Sequence, residues 1–389
     1  MKKAVIIGGS NGIGLAIARD LLNRNYHIHI LDISQPDNAI LSDPQNVTYS
    51  QFNLIYPDWD LVQSLSNDPE VEGLMITAGI GRVAEFEYLH PSEIQNIFQI
   101  NTVTSIQIIR YFYDRMKSHS RFFCGIMGSI AGLCSSPLFS VYAASKAAVC
   151  RFAESVNIEL EKAGVANRIL NVSPGSIAGT RFNGGENDIS KTQALAGQIV
   201  EALLASQTLL IPQYDEVFQG VLDRYHRDPR QYGLDSYDYK TNSGRVCNEH
   251  RARIGYLSGT FDLFHVGHLN LLKRAKQQCD YLIVGVHPDA SHKGKETFIP
   301  FQERMAIVGA VKYVDKVVPS CKEDSDAWAL WKYTKLFVGS DYKGTERFNR
   351  YEAFFADKGV QIVYFPYTQS TSSTQIRNTI MTKKDSGKE

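Results

Sequence analysis

The chain has 389 residues, which at about 150 residues per domain predicts two or three domains. Its 41 Lys and Arg balance 41 Asp and Glu, so no global basic field draws it to nucleic acid or to an anionic membrane. Hydrophobic residues make up 43% and charged residues 21%, a globular composition that excludes wholesale disorder.

The opening MKKAVIIGGSNGIG sets two lysines before an apolar run that breaks into glycines after Ile7. No small-residue cleavage site follows, so no secretory leader is expected. No run approaches the roughly 18 apolar residues of a membrane span. Cys124, Cys134, Cys150, Cys247, Cys279 and Cys321 are scattered without a C-x-x-C pair. That usage predicts reduced thiols in a cytoplasmic protein, not a disulfide framework or a metal site.

Residues 3–8 (KAVIIG) read as a buried parallel strand. Residues 12–23 carry Ile13, Leu15, Ala16, Ala18, Leu21 and Leu22 at helical spacing. Strands follow over 27–31, 73–77, 122–127 and 168–172, with helices over 91–116 and 143–163 and a last strand over 208–212. Strands alternating with helices predict a doubly wound parallel sheet over residues 1–226. Residues 227–252 are polar, rich in tyrosine and poor in aliphatics, and read as a linker. Strand and helix alternate again over 254–258, 266–277, 281–286, 300–309, 335–339 and 360–364, a smaller α/β domain over 253–381. Residues 382–389 form a charged tail that frays.

Gly8, Gly12 and Gly14 stand at the first strand-to-helix turn, where a backbone without side chains lets a pyrophosphate approach the helix N-terminus. Alone, such a turn is nearly as often structural. Asp32, at the end of the second strand, adds a carboxylate for ribose hydroxyls that also repels a 2′-phosphate. No Lys or Arg follows it immediately, which favours NAD(H) over NADP(H). Ser129 precedes Tyr142 by 13 residues in GSIAGLCSSPLFSVYAASK, and Lys146 follows four later on the same helix face. A nearby ammonium is expected to lower the phenol pKa, so that Tyr142 exchanges a proton with a carbonyl or carbinol while Ser129 bonds the same oxygen.

With these residues in place, residues 1 to about 225 resemble the short-chain dehydrogenases/reductases, whose order is matched by the glycine turn, Ala78-Gly79, Asn101, Ser129, Tyr142, Lys146 and Pro174-Gly175. The resemblance implies a Rossmann sheet. It also implies that Asn101 helps hold a proton-relay water, that Lys146 also binds the nicotinamide ribose, and that Pro174-Gly175 lines the nicotinamide pocket. Four departures stand out. Ile7 replaces a common Thr, Ile76-Thr77 replaces an Asn pair, Asn53 replaces the usual Asp near the adenine, and Thr180 lies one place late. Residues 181–191 are Gly- and Asn-rich and read as a substrate loop, whose Arg181 and Lys191 either meet a phosphate or, as is commoner, are ordinary solvated charges.

The second domain opens with YLSGTFDLFHVGHLNLLKRA. A strand ends near Ser258, a loop carries Gly259, Thr260 and Phe261, and a helix follows. His265 and His268 at its entrance, with exposed backbone N–H groups, form an anion site. His-x-x-His without further well-spaced ligands is a poor zinc site. The string resembles the cytidylyltransferases that include glycerol-3-phosphate cytidylyltransferase, over roughly residues 253–380. The resemblance implies a Rossmann-like nucleotidyltransferase domain. It further implies phosphate-binding Lys293 and Lys295, an E-R pair at Glu303-Arg304, a dimer-proximal segment at 312–315, a G-x-D turn ending at Asp341, and triphosphate-binding hydroxyls at Ser372, Ser373 and Thr374. Tyr367-Thr368-Gln369-Ser370 stands where the family often has Arg-Thr-Glu-Gly, so one phosphate-binding arginine is absent, with Arg377 or Lys343 as substitutes.

The two halves together imply small-molecule chemistry in two steps. A keto-sugar phosphate, for example ribulose 5-phosphate, is reduced with NAD(P)H, and the polyol phosphate then attacks CTP, with Mg²⁺ on the triphosphate, to give a CDP-polyol for surface polysaccharide such as capsule. Two alternatives stay open: an adenylyltransferase fused to an unrelated reductase, and a first domain that only dimerises or senses. Both resemblances imply a homo-oligomer. No nucleic-acid or membrane partner is expected.

Overall fold

The computed structural model describes residues 2–36, 45–180, 182, 186–248, 253–289, 296–366 and 376. The chain divides into two units, Met1–Glu249 and His250–Glu389.

Among the described residues of the first unit, β1 (Lys3–Ile7), β2 (His27–Asp32), β3 (Val47–Gln51), β4 (Val71–Ile76), β5 (Phe123–Met127), β6 (Ile169–Val172) and β7 (Leu209–Leu210) form one sheet in the order 3-2-1-4-5-6-7. Every pairing is parallel. The central strands read as unbroken apolar runs because helices cover both faces. Along β1, Val5 and Ile7 enter one core, with residues of the helices Trp59–Asn67, Thr104–Lys117 and Ser140–Lys162. Ala4 and Ile6 enter the other, with the helices Gly12–Asn23 and Ile189–Leu204. The strand order reverses between β1 and β4, so their carboxyl ends open the crevice where such sheets bind ligands.

Three expectations are corrected here. β3 was not predicted, because only Val47 of its five residues is buried and the strand carries no apolar signature. The helix expected over 91–116 is interrupted by a π-helical segment, Gln99–Val103, between Pro91–Phe98 and Thr104–Lys117. The expected linker is largely helical. Gln219–Arg227 and Pro229–Asn242 are helices, and the second begins with Asp228 accepting the Gln231 amide at 2.9 Å and Pro229 in the first turn. Tyr232, edge-on to Tyr225 and 3.3 Å from Cys134 Sγ, and Lys240, bonded to Ser136 and Pro137, tie it down, contacts a count of aliphatic residues overlooks.

In the second unit β8 (Ile254–Gly259), β9 (Tyr281–Val286), β10 (Lys316–Pro319), β11 (Lys335–Gly339) and β12 (Gln361–Phe365) form a parallel sheet in the order 10-9-8-11-12. Leu257, Val284 and Phe337 face one core and Tyr256, Ile283 and Leu336 the other. β10, four residues long, was not predicted. The order reverses between β8 and β11, beside Gly259. No helix among the described residues is long and apolar enough to cross a membrane.

Candidate functional sites

The first turn is shaped by close backbone approach. Gly8 has φ +85°, and a Cβ there would stand 2.5 Å from the Ala78 nitrogen. A Cβ on Gly14 would stand 2.2 Å from the Gly8 carbonyl oxygen, so neither position accepts a side chain. Gly12 has φ +52°, and its amide donates to Asn187 Oδ1 at 2.6 Å. Thr77 Oγ1 donates to the Gly8 carbonyl at 2.9 Å, which gives the departure from an Asn pair a structural use. Asp32 accepts the Ser10 amide at 3.0 Å, tying the end of β2 to the turn. Asn53 is exposed, and its Oδ1 accepts the Ile55 amide at 2.8 Å.

At the ends of β4 and β5 the remaining residues converge. Asn101 lies in the π-helical segment, 1% exposed. It accepts the Ile80 amide at 2.9 Å and donates to the Ile80 carbonyl at 2.9 Å and to Ser145 Oγ at 3.0 Å. Ser145 Oγ donates to the Tyr142 carbonyl at 2.7 Å. Gly79 sits under this arrangement: a Cβ there would lie 3.3 Å from both Asn101 Oδ1 and Lys146 Nζ. Lys146, 2% exposed, donates to the Met127 carbonyl at 2.7 Å, with its Nζ 5.7 Å from the Tyr142 ring centroid. Ser129 Oγ accepts the Ala131 amide at 3.2 Å and lies 3.5 Å from the Pro174 carbonyl, which also accepts the Ile130 amide. A Cβ on Gly175 would meet the Phe218 ring at 2.3 Å.

Burial dominates the electrostatics of the protein groups. It pushes the Tyr142 phenol up to about 12, against the opposing pull of a hydrogen bond with Ser129. It pulls the Lys146 ammonium down to about 8. The lowering of the phenol by Lys146 expected from the i, i+4 spacing is not found: desolvation raises it, and the opposing pull comes from Ser129.

Sequence reasoning missed three residues here. Ser145 links Asn101 to Tyr142. Phe139 stacks on Tyr142 with centroids 4.1 Å apart. Gly81 admits that pair, since a Cβ there would stand 2.5 Å from Tyr142 Cδ2. The Y-A-A-S-K spacing carried the signal for Ser145; nothing local marked the other two. Arg181 lies outside the described residues, and Lys191 pairs with Asp188 at 3.2 Å.

In the second unit His265 caps the helix Val266–Lys276. Its Nδ1 accepts the Gly267 amide at 3.0 Å, and its own backbone N–H donates to His268 Nδ1 at 3.4 Å. Both Nδ1 atoms are thus acceptors, which places the proton of each neutral ring on Nε2. Burial lowers the His265 pKa, favouring that neutral form. The Gly267 amide, expected to face an anion, is taken up by His265. The loop before the helix is strained: Phe261 has φ +52° and Leu263 φ +50°. Gly259 packs on the Phe261 ring, and among the described residues the buried Thr260 Oγ1 has no hydrogen-bond partner.

Arg304, quoted from sequence only as half of a family pair, is 0% exposed. It donates to the carbonyls of Thr260, His287, Pro288 and Ile299. Asp262 accepts the Phe298 and Ile299 amides at 3.0–3.1 Å. Together they pin the loop to the end of β9. Asp341 is exposed, with its carboxylate against Gly339, and Lys343 Nζ lies 5.6 Å from the Tyr364 ring centroid. Lys293, Lys295, Ser372, Ser373, Thr374 and Arg377 lie outside the described residues.

Comparison with known proteins follows the same division. A family model described as short chain dehydrogenase matches residues 2–190, and one described as cytidylyltransferase-like matches residues 256–379. Glycerol-3-phosphate cytidylyltransferase of Bacillus subtilis (strain 168) is 35% identical over 126 residues, covering 31% of this chain and 92% of that protein. Ethanolamine-phosphate cytidylyltransferase of Mus musculus is 47% identical over 68 residues, 17% of each. The uncharacterized oxidoreductase TDA5 of Saccharomyces cerevisiae is 30% identical over 197 residues, 46% of this chain and 56% of that protein.

Proposed function

We infer, from a chain that belongs to the short-chain dehydrogenases through its first unit and to the cytidylyltransferases through its second, that it performs two consecutive reactions. It reduces a ketose phosphate such as ribulose 5-phosphate to a polyol phosphate, and it then transfers a cytidylyl group from CTP to that phosphate, releasing pyrophosphate. The observation that carries this reading is the presence on one chain of the Asn101–Ser145–Tyr142–Lys146 arrangement and the His265–His268 pair. The relatives are named for acting on glycerol 3-phosphate and ethanolamine phosphate, both phosphomonoesters, which supports the acceptor class.

A bound nicotinamide cofactor would supply the hydride. The glycine turn, the side-chain-free Gly79 and the Asp32 carboxylate suit its pyrophosphate and riboses. NAD(H) is favoured over NADP(H): Asp32 repels a 2′-phosphate, and between Arg24 and Arg82 the sequence holds no Lys or Arg. Tyr142 gives its proton to the substrate oxygen, and Ser129 holds that oxygen. Lys146, close to the ring, stabilises the phenolate that forms. Asn101 orients the residues that return the proton.

In the second unit the Nε2–H groups of His265 and His268 would donate to the α-phosphate. They stabilise the charge that grows as an acceptor oxygen displaces pyrophosphate. Thr260 Oγ1 supplies a further donor. Lys293 and the hydroxyls at 372–374 would complete the triphosphate cradle. Mg²⁺ enters with the triphosphate, and no protein ligand is assigned to it. The free cysteines and the demand for NADH and CTP support a cytoplasmic enzyme; that it is a homo-oligomer making precursors of a surface polymer is proposed from the family likeness.

The test is one incubation of the purified chain with CTP, Mg²⁺, NADH or NADPH and a panel of ketose phosphates. Reductant loss and pyrophosphate release are followed together, with ATP in place of CTP as a control. One ketose phosphate should trigger both signals. Pyrophosphate release with preformed polyol phosphates alone would refute the coupled reading.

A further inference from the structure

Residues 229–248 fall outside both family matches, yet they fold onto the two loops that flank Tyr142. We propose that this segment braces the reductase site and that Lys240 is a positioning residue for the Phe139–Tyr142 pair. The proposal rests on the reductase reading above and adds a residue and a segment to it.

Tyr232, Ser236 and Lys240 recur every fourth residue of Pro229–Asn242 and so share one face. The Tyr232 hydroxyl lies 3.3 Å from Cys134 Sγ. Lys240 Nζ donates to Ser136 Oγ at 2.8 Å, the Pro137 carbonyl at 2.9 Å and Ser236 Oγ at 3.0 Å. All three N–H groups of the ammonium are spent on one helix residue and one loop. None of these partners is a carboxylate, and burial pulls the Lys240 pKa down to about 8. A half-buried ammonium held only by neutral oxygens does little for solubility, but it fixes the loop.

That loop has a strained element. Leu138, next after Pro137, is buried with φ +62°, a conformation non-glycine residues keep only when their surroundings enforce it. Lys240 holds the carbonyl before Leu138. The Ala84 amide holds the carbonyl of Leu138 itself at 2.7 Å. Phe139 comes next, begins the helix Ser140–Lys162 and stacks on Tyr142.

The other loop is held by the same segment. Past the helix, the Cys247 amide donates to the Val83 carbonyl at 2.9 Å, and Arg82 Nη1 donates to the Cys247 carbonyl at 3.0 Å. The Glu85 amide donates to Asn248 Oδ1 at 3.1 Å. Residues 82–85 follow Gly81, whose missing side chain makes room for Tyr142. One stretch of chain thus fixes the approach to the catalytic phenol from both sides.

The test uses full-length Lys240→Met and Lys240→Arg with hydrogen–deuterium exchange read by mass spectrometry. In Lys240→Met, peptides covering 80–86 and 130–140 should exchange about tenfold faster while β1 and β5 keep wild-type protection, and Lys240→Arg should restore slow exchange. With NADH and ribulose 5-phosphate, kcat of Lys240→Met should fall about tenfold with KM for NADH unchanged, as expected of misplacement. Wild-type exchange over 130–140 in Lys240→Met would overturn the proposal. If β1 also loses protection, Ser136→Ala, which removes one acceptor and no charge, decides instead: faster exchange over 130–140 supports the brace, and no change overturns it. If the wild-type chain reduces no ketose phosphate, the reductase reading fails, and the exchange data still decide the brace.

Discussion

Asn101 and Ser145 stand 44 residues apart in the chain and share a hydrogen bond of 3.0 Å between two buried side chains. Through it the π-helical segment and the helix bearing Tyr142 and Lys146 are fixed as one body, since Thr102 Oγ1 also donates to the Ser145 carbonyl at 2.9 Å. Ser145→Ala should leave NADH binding intact and lower kcat about tenfold, because Asn101 keeps its Ile80 bonds but loses its tie to the catalytic helix. Steady-state kinetics together with NADH fluorescence titration check this.

Tyr142→Phe should reduce ketose reduction about 100- to 10,000-fold, the range expected of a lost general acid. Cytidylyl transfer to a preformed polyol phosphate should persist in the same protein. His265→Ala should give the converse pattern, with pyrophosphate release down about 100-fold. Parallel loss of both activities in either variant would contradict two separate sites.

The pH dependence follows from burial. Tyr142, with its pKa raised to about 12, keeps throughout the neutral range the proton that the proposed reduction has it donate. Lys146, lowered to about 8, loses its charge as pH rises through that value. Reduction should therefore be flat at neutral pH and fall above about pH 8, because the phenolate then forms without its ammonium. Lys146→Arg, which stays charged, should move the alkaline limb upward even at a lower plateau. Profiles of kcat/KM recorded from about pH 6 to pH 10 decide it.

Arg304→Met should leave several buried carbonyls without a donor, at about 1–3 kcal/mol each. The second unit should melt earlier, and cytidylyl transfer should fail before the first unit is affected. Arg304→Lys should not rescue it, because one ammonium cannot span the carbonyls the planar fork reaches. Calorimetry combined with pyrophosphate release separates the two units.

Gly81→Ala should impair reduction more than its size suggests. The new methyl would stand 2.5 Å from Tyr142 Cδ2 and 2.8 Å from Phe139 Cε2, so the stacked pair must move. A fall in kcat with unchanged NADH affinity is the expected outcome.

Sequence made the central strands and both helix-entry turns legible because each is a local pattern: an apolar run, then glycines or the His-x-x-His of His265 and His268, then a helix. Tyr142 and Lys146 were legible for the same reason. Other features depend on distant partners. β3 buries only Val47. Residues 229–242 are tied down by Tyr232 and Lys240, which read as solvated in isolation. Arg304 looks like any charged helix residue until four carbonyls from three stretches of chain surround it. Leu138 gives no hint of its left-handed backbone, since leucine seldom adopts it. Lys293 and Ser372–Thr374 remain expectations of the family likeness.

The π-helical segment at Gln99–Val103 also bears on how this chain tolerates insertion and deletion. Such a segment is one residue wider than a regular turn. Removing a single residue inside it would leave a continuous α-helix whose two flanking halves stay in phase, with Ile108, Phe112 and Met116 still in the core, but would abolish the widened turn that presents Asn101. Asn101 would then no longer face Ser145 while the sheet and both cores stayed intact. A one-residue deletion here should therefore give a well-folded protein without reductase turnover, the reverse of what length changes do in a surface loop.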